Sequence, residues 1–184
     1  MIKKLTNWFL FAIAIVIFIF SFHSVSAQYT TDSGVTSSPS PTPIPTIDVA
    51  YESVNPTDGI AYPLKRIGEK ISMFFAFSNE SKVKNYKSLV NIRLAELKFI
   101  IENKKAGYFE KSTQRYFTAA GQLTLFITSK NIKSQYMSVK EQLLSQIPVL
   151  VKLRDTYDPS TAEWRFVEDD INYASGYADT LHPN

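Results

Sequence analysis

Apolar residues recur at three- and four-residue steps through almost the whole chain after Tyr62, a spacing typical of amphipathic α-helices. No stretch of strand length alternates apolar and polar residues, so no sheet is expected. We therefore predict an all-α fold, an up-and-down bundle of about five helices joined by short loops. The helical-bundle domain is predicted over residues 61–182.

The first predicted helix follows Pro63, whose missing amide hydrogen is tolerated in a first helical turn. Its apolar residues form one stripe, which we expect to be buried: Leu64, Ile67, Ile71, Phe74 and Phe75. The second helix begins after Ser78, a good capping residue, and is expected to stop at Gly107. Tyr108 to about Ser129 is predicted as the third helix, where Gly121 permits a close helix contact.

The fourth predicted helix runs from Asn131 to Tyr157. Pro148 lies inside it and is expected to kink or split it, because its ring meets the carbonyl four residues back. Asp158 followed by Pro159 is a typical helix start, with the aspartate as cap and the proline at the first position. The last helix is predicted from there to about Leu181.

The N-terminus has the pattern of a secretory signal peptide. Two lysines, Lys3 and Lys4, precede an apolar run from Trp8 to Phe20, and small residues follow at the expected cleavage site. We predict a signal peptide over residues 1–27, cut between Ala27 and Gln28, and an exported chain that is extracellular, periplasmic or on the cell surface. The alternative is an uncleaved N-terminal helix that anchors the chain in the membrane.

Residues 28–60 are rich in Pro, Ser and Thr, with few apolar side chains to offset the entropy of ordering. We predict a disordered linker between the signal peptide and the bundle.

The composition excludes several kinds of chemistry. The 184-residue chain has no Cys and two His, of which His23 lies in the predicted signal and His182 lies near the end. Disulfides and Cys-based zinc sites are therefore excluded, and no interior histidine is present to act as a catalytic base. No cofactor and no metal site is predicted.

Positive charge is concentrated in the middle of the chain. Between Tyr62 and Gln142, 15 Lys or Arg stand against 6 Asp or Glu, a net of +9, whereas residues 28–61 and 143–184 each carry −4. Such a segment either pairs with its acidic flanks or forms a positively charged functional surface.

The candidate anion-binding face consists of Lys84, Lys87, Lys98, Lys105, Lys111 and Arg115. Its expected partner is an unknown protein or an anionic envelope polymer or lipid headgroup, and export argues against nucleic acid. Direct contact with a membrane is expected only through an uncleaved signal or at the periphery.

Carboxylates are the remaining candidates for acid–base catalysis. The last helix carries a cluster of them: Glu163, Glu168, Asp169, Asp170 and Asp179. A glycan hydrolase needs two carboxyl groups in a cleft, one with a pKa raised by burial, and no motif marks such a cleft. A solvated helix face explains the cluster more simply, so we predict that the protein is not an enzyme.

The start of the bundle resembles a known family. The run Tyr62-Pro63-Leu64-Lys65-Arg66, with Glu69, and the later run Arg93-Leu94-Ala95-Glu96 are similar to motifs of the bacterial DUF5667 family, domains of unknown function. The segments Ile147–Leu150 and Trp164–Asn172 resemble its C-terminal half, so the likeness extends over about residues 55–181. The resemblance implies an extracytoplasmic helical domain without an assigned activity, and it transfers no catalytic residues.

From the residues alone, Lys65, Arg66 and Glu69 are interpreted as exposed ion pairs. Arg93 and Glu96 are left as either an exposed pair or a partly buried clamp between helices. The predicted function is a non-catalytic binding module at the bacterial cell envelope. Two alternatives remain: a cell-wall glycan hydrolase that uses the C-terminal carboxylates, and a structural spacer or subunit of an envelope assembly.

Overall fold

The computed structural model describes residues 55–57 and 59–182. The predicted signal peptide with its cleavage site between Ala27 and Gln28, and most of the predicted linker, lie outside the described residues. The described part of the chain contains five α-helices and no strand, which confirms the all-α fold.

The helices are α1 (Ala61–Phe74), α2 (Asn79–Glu102), α3 (Ala106–Ser129), α4 (Tyr136–Arg154) and α5 (Ala162–Asp179). A single 3₁₀ turn precedes α4. α2 packs along α3 and α4 packs along α5, and the two pairs meet mainly where α3 contacts α5. α1 rests chiefly on α2, at the edge of this four-helix core.

The apolar residues that recur along α2 to α5 face inward, as an amphipathic pattern predicts. They form one cluster between the two helix pairs, including Val90, Leu94, Leu97, Tyr116, Ala120, Leu123, Ile127, Val139, Leu143, Leu150, Val167, Ala174 and Ala178. The close contact predicted at Gly121 is also present, because a Cβ there would lie 2.8 Å from the Tyr177 hydroxyl oxygen of α5.

The helix ends follow the sequence signals only in part. Ser78 caps α2 as predicted, its side chain accepting from the Ser81 amide at 3.1 Å. Gly107 does not stop α2, since it lies inside α3, and Lys104 takes the left-handed conformation at φ 53° instead. Pro148 does not split α4, which continues to Arg154.

The predicted start of the last helix is also wrong. Thr161 caps α5 and accepts from the Trp164 amide at 3.2 Å. Asp158 instead holds the preceding turn, accepting from the Ser160 amide at 2.9 Å. Residues 158–161 therefore form a local aspartate turn and do not extend the helix.

The prediction that α1 buries its apolar stripe is wrong. The stripe residues Leu64, Ile67, Ile71, Phe74 and Phe75 are all exposed. α1 turns its polar side toward α2 instead, so its amphipathic character is inverted relative to the rest of the bundle. Among residues 59–182, no helix has the length and apolar content that crossing a bilayer requires.

Candidate functional site

The side of α1 that meets the bundle carries ionisable groups. Tyr62, Lys65 and Glu69 follow one another at three- and four-residue steps, so they share one face of the helix. Opposite them on α2, Arg93 and Glu96 are almost fully buried, with 3% and 0% of their surfaces exposed. We call these five residues the α1–α2 ion network.

Glu96 is the centre of this network. Its Oε2 accepts a hydrogen bond from the Tyr62 hydroxyl at 3.1 Å, and its Oε1 accepts one from Lys65 Nζ at 2.9 Å. Arg93 Nη1 donates to the same Oε1 at 2.6 Å, while Arg93 Nη2 pairs with Glu69. A single buried carboxylate thus takes donors from both helices and fastens α1 to α2.

The charges of the network support one another. Burial by itself lowers the pKa of Arg93, but the carboxylates of Glu96 and Glu69 outweigh it, so that this pKa is raised. Burial is the main reason that the pKa of Tyr62 is raised, and the charge of Glu96 adds to it. At neutral pH, Arg93 therefore stays charged and Tyr62 stays a neutral donor.

The Tyr62 ring links α1 to a third helix. The guanidinium carbon of Arg115, on α3, lies 5.0 Å from the centre of the ring, and Lys65 Nζ lies 5.7 Å from it. Cation–π contacts of this kind contribute about 0.5–2 kcal/mol, more when they are desolvated. Arg66 lies beside the Tyr62 hydroxyl, and their hydrogen bond lowers the Tyr62 pKa against the larger effect of burial.

A pocket of about 210 Å³ opens beside the network, between α1, α2 and α3. Three guanidinium groups line it, those of Arg66, Arg93 and Arg115, and we call it the arginine pocket. Nη1 of Arg66 and Nη1 of Arg115 are buried and have no hydrogen-bond partner among the described residues. The rest of its lining is mostly uncharged and polar or small: Leu89, Gln114, Thr118, Ala119 and Gln122.

Six residues of the two motifs at the start of the resemblance meet at this site: Tyr62, Lys65, Arg66, Glu69, Arg93 and Glu96. Of the other residues in these two motifs, Pro63 and Leu64 lie on the exposed side of α1, whereas Leu94 and Ala95 are buried on α2. Of the two interpretations of Arg93 and Glu96, the structure shows the buried clamp.

The interpretation of the α1 charges as exposed pairs is wrong. Lys65 and Glu69 do approach each other, but at 3.8 Å, and Arg66 and Glu69 at 4.0 Å. The shorter contacts of Lys65 and Glu69 run to buried partners on α2. Sequence periodicity shows which side of a helix is charged, but it does not reveal the groups that a second helix places opposite.

The six residues of the candidate anion-binding face have different environments. Lys84, Lys105 and Lys111 are exposed. Lys87 Nζ donates to Ser138 of α4 at 2.5 Å, and Lys98 pairs with Glu102 at 2.8 Å. Arg115 lines the arginine pocket. No sequence signal distinguishes it from the lysines of α2 and α3.

The C-terminal carboxylates are likewise divided. Glu168 pairs with Arg154 at 2.6 Å, whereas Asp169 is exposed on the surface of α5. Asp170 is 0% exposed, and neither of its carboxyl oxygens has a hydrogen-bond partner in the described part of the chain. Burial, with the charge of Asp169, raises its pKa to about 9.

Asp170 thus has the raised pKa of a general acid, but a carboxyl with no exposed surface cannot touch a polymeric substrate. Its neighbourhood belongs to the core. Tyr116 interacts electrostatically with Asp170, and its hydroxyl donates to Gln146 at 2.9 Å. Within the described residues, no group of three or more His, Asp or Glu is placed to hold a metal ion.

The outer side of α1 forms a second feature of the site. Large apolar residues on it and just beyond its ends are between 41% and 85% exposed, and we call them the α1 apolar face: Ile60, Leu64, Ile67, Ile71, Phe74, Phe75 and Phe77. The three phenylalanines touch edge to face, with ring centres 5.4 Å and 6.2 Å apart. They form a continuous aromatic end to this surface.

These observations define a small helical-bundle domain whose first helix is fastened by buried ion pairs and turns its apolar side outward. Residues 55–158 match the family described as Domain of unknown function (DUF5667), and since this is more than half of the chain, the protein belongs to that family. The match ends before α5 and so does not reach the later part of the predicted resemblance. No curated protein and no solved structure matches the chain.

Proposed function

We propose that this protein is an exported, non-catalytic binding module of the bacterial cell envelope and that the α1 apolar face lies on an anionic lipid bilayer. The orientation of α1 carries the proposal. Its polar side is bonded to Arg93 and Glu96, so its apolar side is left exposed on the described part of the chain. Apolar patches of this kind on a small domain mark binding surfaces.

The chemistry of this surface suits a bilayer. Helices with Phe, Leu and Ile on one side and basic residues nearby lie in the headgroup region with their apolar side in the acyl boundary. Lys70 on α1 and Lys84 on α2 are exposed, within the segment of net charge +9. Each basic residue near an anionic membrane contributes about 1 kcal/mol.

Charge also favours a bilayer over other occupants. Two copies of the domain that met through α1 would bring two strongly basic segments together, and like charges repel. An anionic polymer would satisfy the lysines but would leave the exposed phenylalanines without an apolar partner. In a chain with an uncleaved N-terminal segment, the predicted linker would also keep α1 tethered near the membrane.

Two single-cysteine variants of the full chain test this contact, because the natural chain has no Cys for a label to confuse. Leu64→Cys lies on the α1 apolar face and Leu125→Cys on α3, at residues with similar exposure, 62% and 67%. Each is labelled with an environment-sensitive fluorophore, and the protein is reconstituted in vesicles containing phosphatidylglycerol. We expect a blue-shifted emission, quenched by lipid-attached quenchers, at position 64 but not at position 125.

Water-like emission at both positions would overturn the proposal. A blue shift at position 64 without vesicles, with a dimer mass in light scattering, would also overturn it, because α1 would then meet a second copy.

A further inference from the structure

The ion network and the arginine pocket hold more positive than negative charge. Lys65, Arg66, Arg93 and Arg115 supply four cations, and the carboxylates of Glu69 and Glu96 neutralise two of them. Arg93 is bonded to both carboxylates. Lys65 bonds Glu96 at 2.9 Å, whereas Arg66 reaches Glu69 only at 4.0 Å, so the excess falls on the side of the pocket that Arg66 and Arg115 line.

These two arginines also have unused donors. Buried N–H groups nearly always have partners, and leaving one unsatisfied costs about 1–3 kcal/mol, more for a charged group. Arg66 Nη1 and Arg115 Nη1 are both buried, and no described residue accepts a hydrogen bond from either. They come from different helices, α1 and α3, and line the same pocket.

We propose that the arginine pocket binds an oxyanion, the phosphate or carboxylate group of a ligand, between the guanidinium groups of Arg66 and Arg115. A guanidinium presents its donors in a planar fork that matches such groups. Gln114, Thr118 and Gln122 add uncharged hydrogen-bonding groups around it. The pocket is several times larger than the ~30 Å³ that one water occupies in the liquid. This site goes beyond the proposed membrane contact and does not depend on it.

An anion between these residues would connect α1 to α3. Arg66 is carried by α1 and Arg115 by α3, so a ligand bound to both adds to the contact between the Tyr62 ring and Arg115 that already joins these helices. Binding is therefore expected to slow the local opening of α1 more than that of the core.

Hydrogen exchange of the full chain in a neutral detergent measures this effect, with inorganic phosphate compared with sodium chloride at equal ionic strength. Arg115→Gln and Lys111→Gln form a matched pair, because both remove one positive charge from α3 and Lys111 is exposed and not part of the pocket lining. We expect phosphate to protect the α1 amides in the natural protein and in Lys111→Gln. In Arg115→Gln, we expect at least tenfold weaker apparent affinity.

A second pair keeps the test decisive if Arg115→Gln releases α1 by itself. Gln122 lines the pocket from an exposed position. Gln122→Glu should abolish phosphate protection while leaving the unfolding midpoint nearly unchanged, and Gln122→Lys should retain it. Equal protection in all four variants, or none in the natural protein, would overturn the proposal.

Vesicles distinguish a lipid headgroup from a free phosphate as the source of the anion. If the Gln122→Glu variant loses protection by phosphatidylglycerol vesicles as well, the headgroup occupies the pocket. If only soluble phosphate depends on Gln122, the pocket takes a soluble anion. In either case, the fluorophore at position 64 reports the membrane contact separately, so each proposal can fail while the other stands.

Discussion

α1 and the four-helix core beside it are held by opposite kinds of contact. In α2 to α5, apolar side chains face inward and form one cluster. α1 has an equally clear amphipathic pattern, yet its polar side faces in and its apolar side faces out. The pattern therefore predicts that a helix forms, but not which of its sides the fold will bury.

The two kinds of contact differ in how they respond to opening. Apolar burial is non-directional and is lost gradually as area is exposed. Buried ion pairs recover their cost of desolvation only while the geometry is kept, so a small displacement loses most of their benefit. We expect α1 to be the first helix to open, well before the core unfolds.

Two identical substitutions measure the difference most directly. Leu143 is fully buried on α4, whereas Leu64 is 62% exposed on α1. Leu143→Ala should lower the free energy of unfolding by about 3 kcal/mol, because it removes buried methyl groups and leaves a cavity. Leu64→Ala should change it by less than about 0.5 kcal/mol. Denaturant unfolding checks both, and a loss of similar size at Leu64 would mean that α1 is packed like the core.

The buried Asp170 offers a way to strengthen the core relative to α1. Two titratable groups interact with Asp170: Tyr116 on α3, and Asp169, the residue before Asp170 on α5. Its folded-state pKa of about 9 lies above the unfolded value, so the folded state binds the extra proton. Stability is therefore highest at low pH as far as this group is concerned, and it falls as pH rises from the unfolded pKa toward about 9.

Asp170→Asn removes this titration and keeps the shape of the side chain. At pH 7 we expect a gain on the order of 2 kcal/mol, since folding of the variant no longer requires the uptake of a proton from neutral solution, while its buried amide still lacks partners. Unfolding measured at several pH values between 5 and 9 should show a flatter dependence than in the natural protein. A parallel dependence in both proteins would contradict the assignment to Asp170.

Glu96→Gln tests the α1–α2 ion network, which holds α1. The change leaves Arg93 buried with a single carboxylate partner, Glu69. Breaking a buried ion pair costs about 3–5 kcal/mol in a rigid site, but α1 can detach and let water reach Arg93, so we expect about 1–2 kcal/mol. Hydrogen exchange should accelerate in α1 and much less in α3 to α5.

Glu102→Gln is the control for this experiment, because it breaks the more exposed pair with Lys98. It should change stability by less than about 1 kcal/mol and should leave exchange in α1 unaltered. Uniformly faster exchange throughout Glu96→Gln would show that α1 and the core open as one unit.

The sequence predicts the part of this molecule that depends on periodicity. The all-α fold and the buried positions of α2 to α5 follow from apolar spacing, and Ser78 follows from its capping chemistry. The helix start predicted at Asp158 and the helix end predicted at Gly107 are wrong for a local reason. Asp158 is a good capping residue, but its side chain accepts from the Ser160 amide and forms a turn before the helix. Gly107 could end a helix, but the chain leaves α2 earlier, where Lys104 takes the left-handed conformation.

The site depends on contacts between helices. The apolar periodicity of one helix does not predict which residues of another helix it will meet. Tyr62, Arg93 and Arg115 come from three helices, and only packing brings them together. The family resemblance singled out Tyr62 and Arg93 as motif residues without showing that they meet. In sequence, Arg115 resembles the other basic residues of a solvated face, and no signal reveals that its guanidinium lies over the Tyr62 ring and lines a pocket.

The smallest expected effect lies where α3 meets α5. Gly121→Ala improves the helix propensity of α3 by about 1 kcal/mol. The new Cβ would lie 2.8 Å from the Tyr177 hydroxyl oxygen, which must move aside. The two effects nearly cancel, so the single variant should stay within about 0.5 kcal/mol of the natural protein.

Tyr177→Phe removes the closest of these atoms and separates the two contributions. In the double variant we expect Gly121→Ala to stabilise the protein by about 0.5 kcal/mol more than it does alone, a coupling that a double-mutant cycle resolves. A cycle with no coupling would show that the tyrosine ring moves without cost, and the contact between α3 and α5 would then be looser than the packing of the core around it.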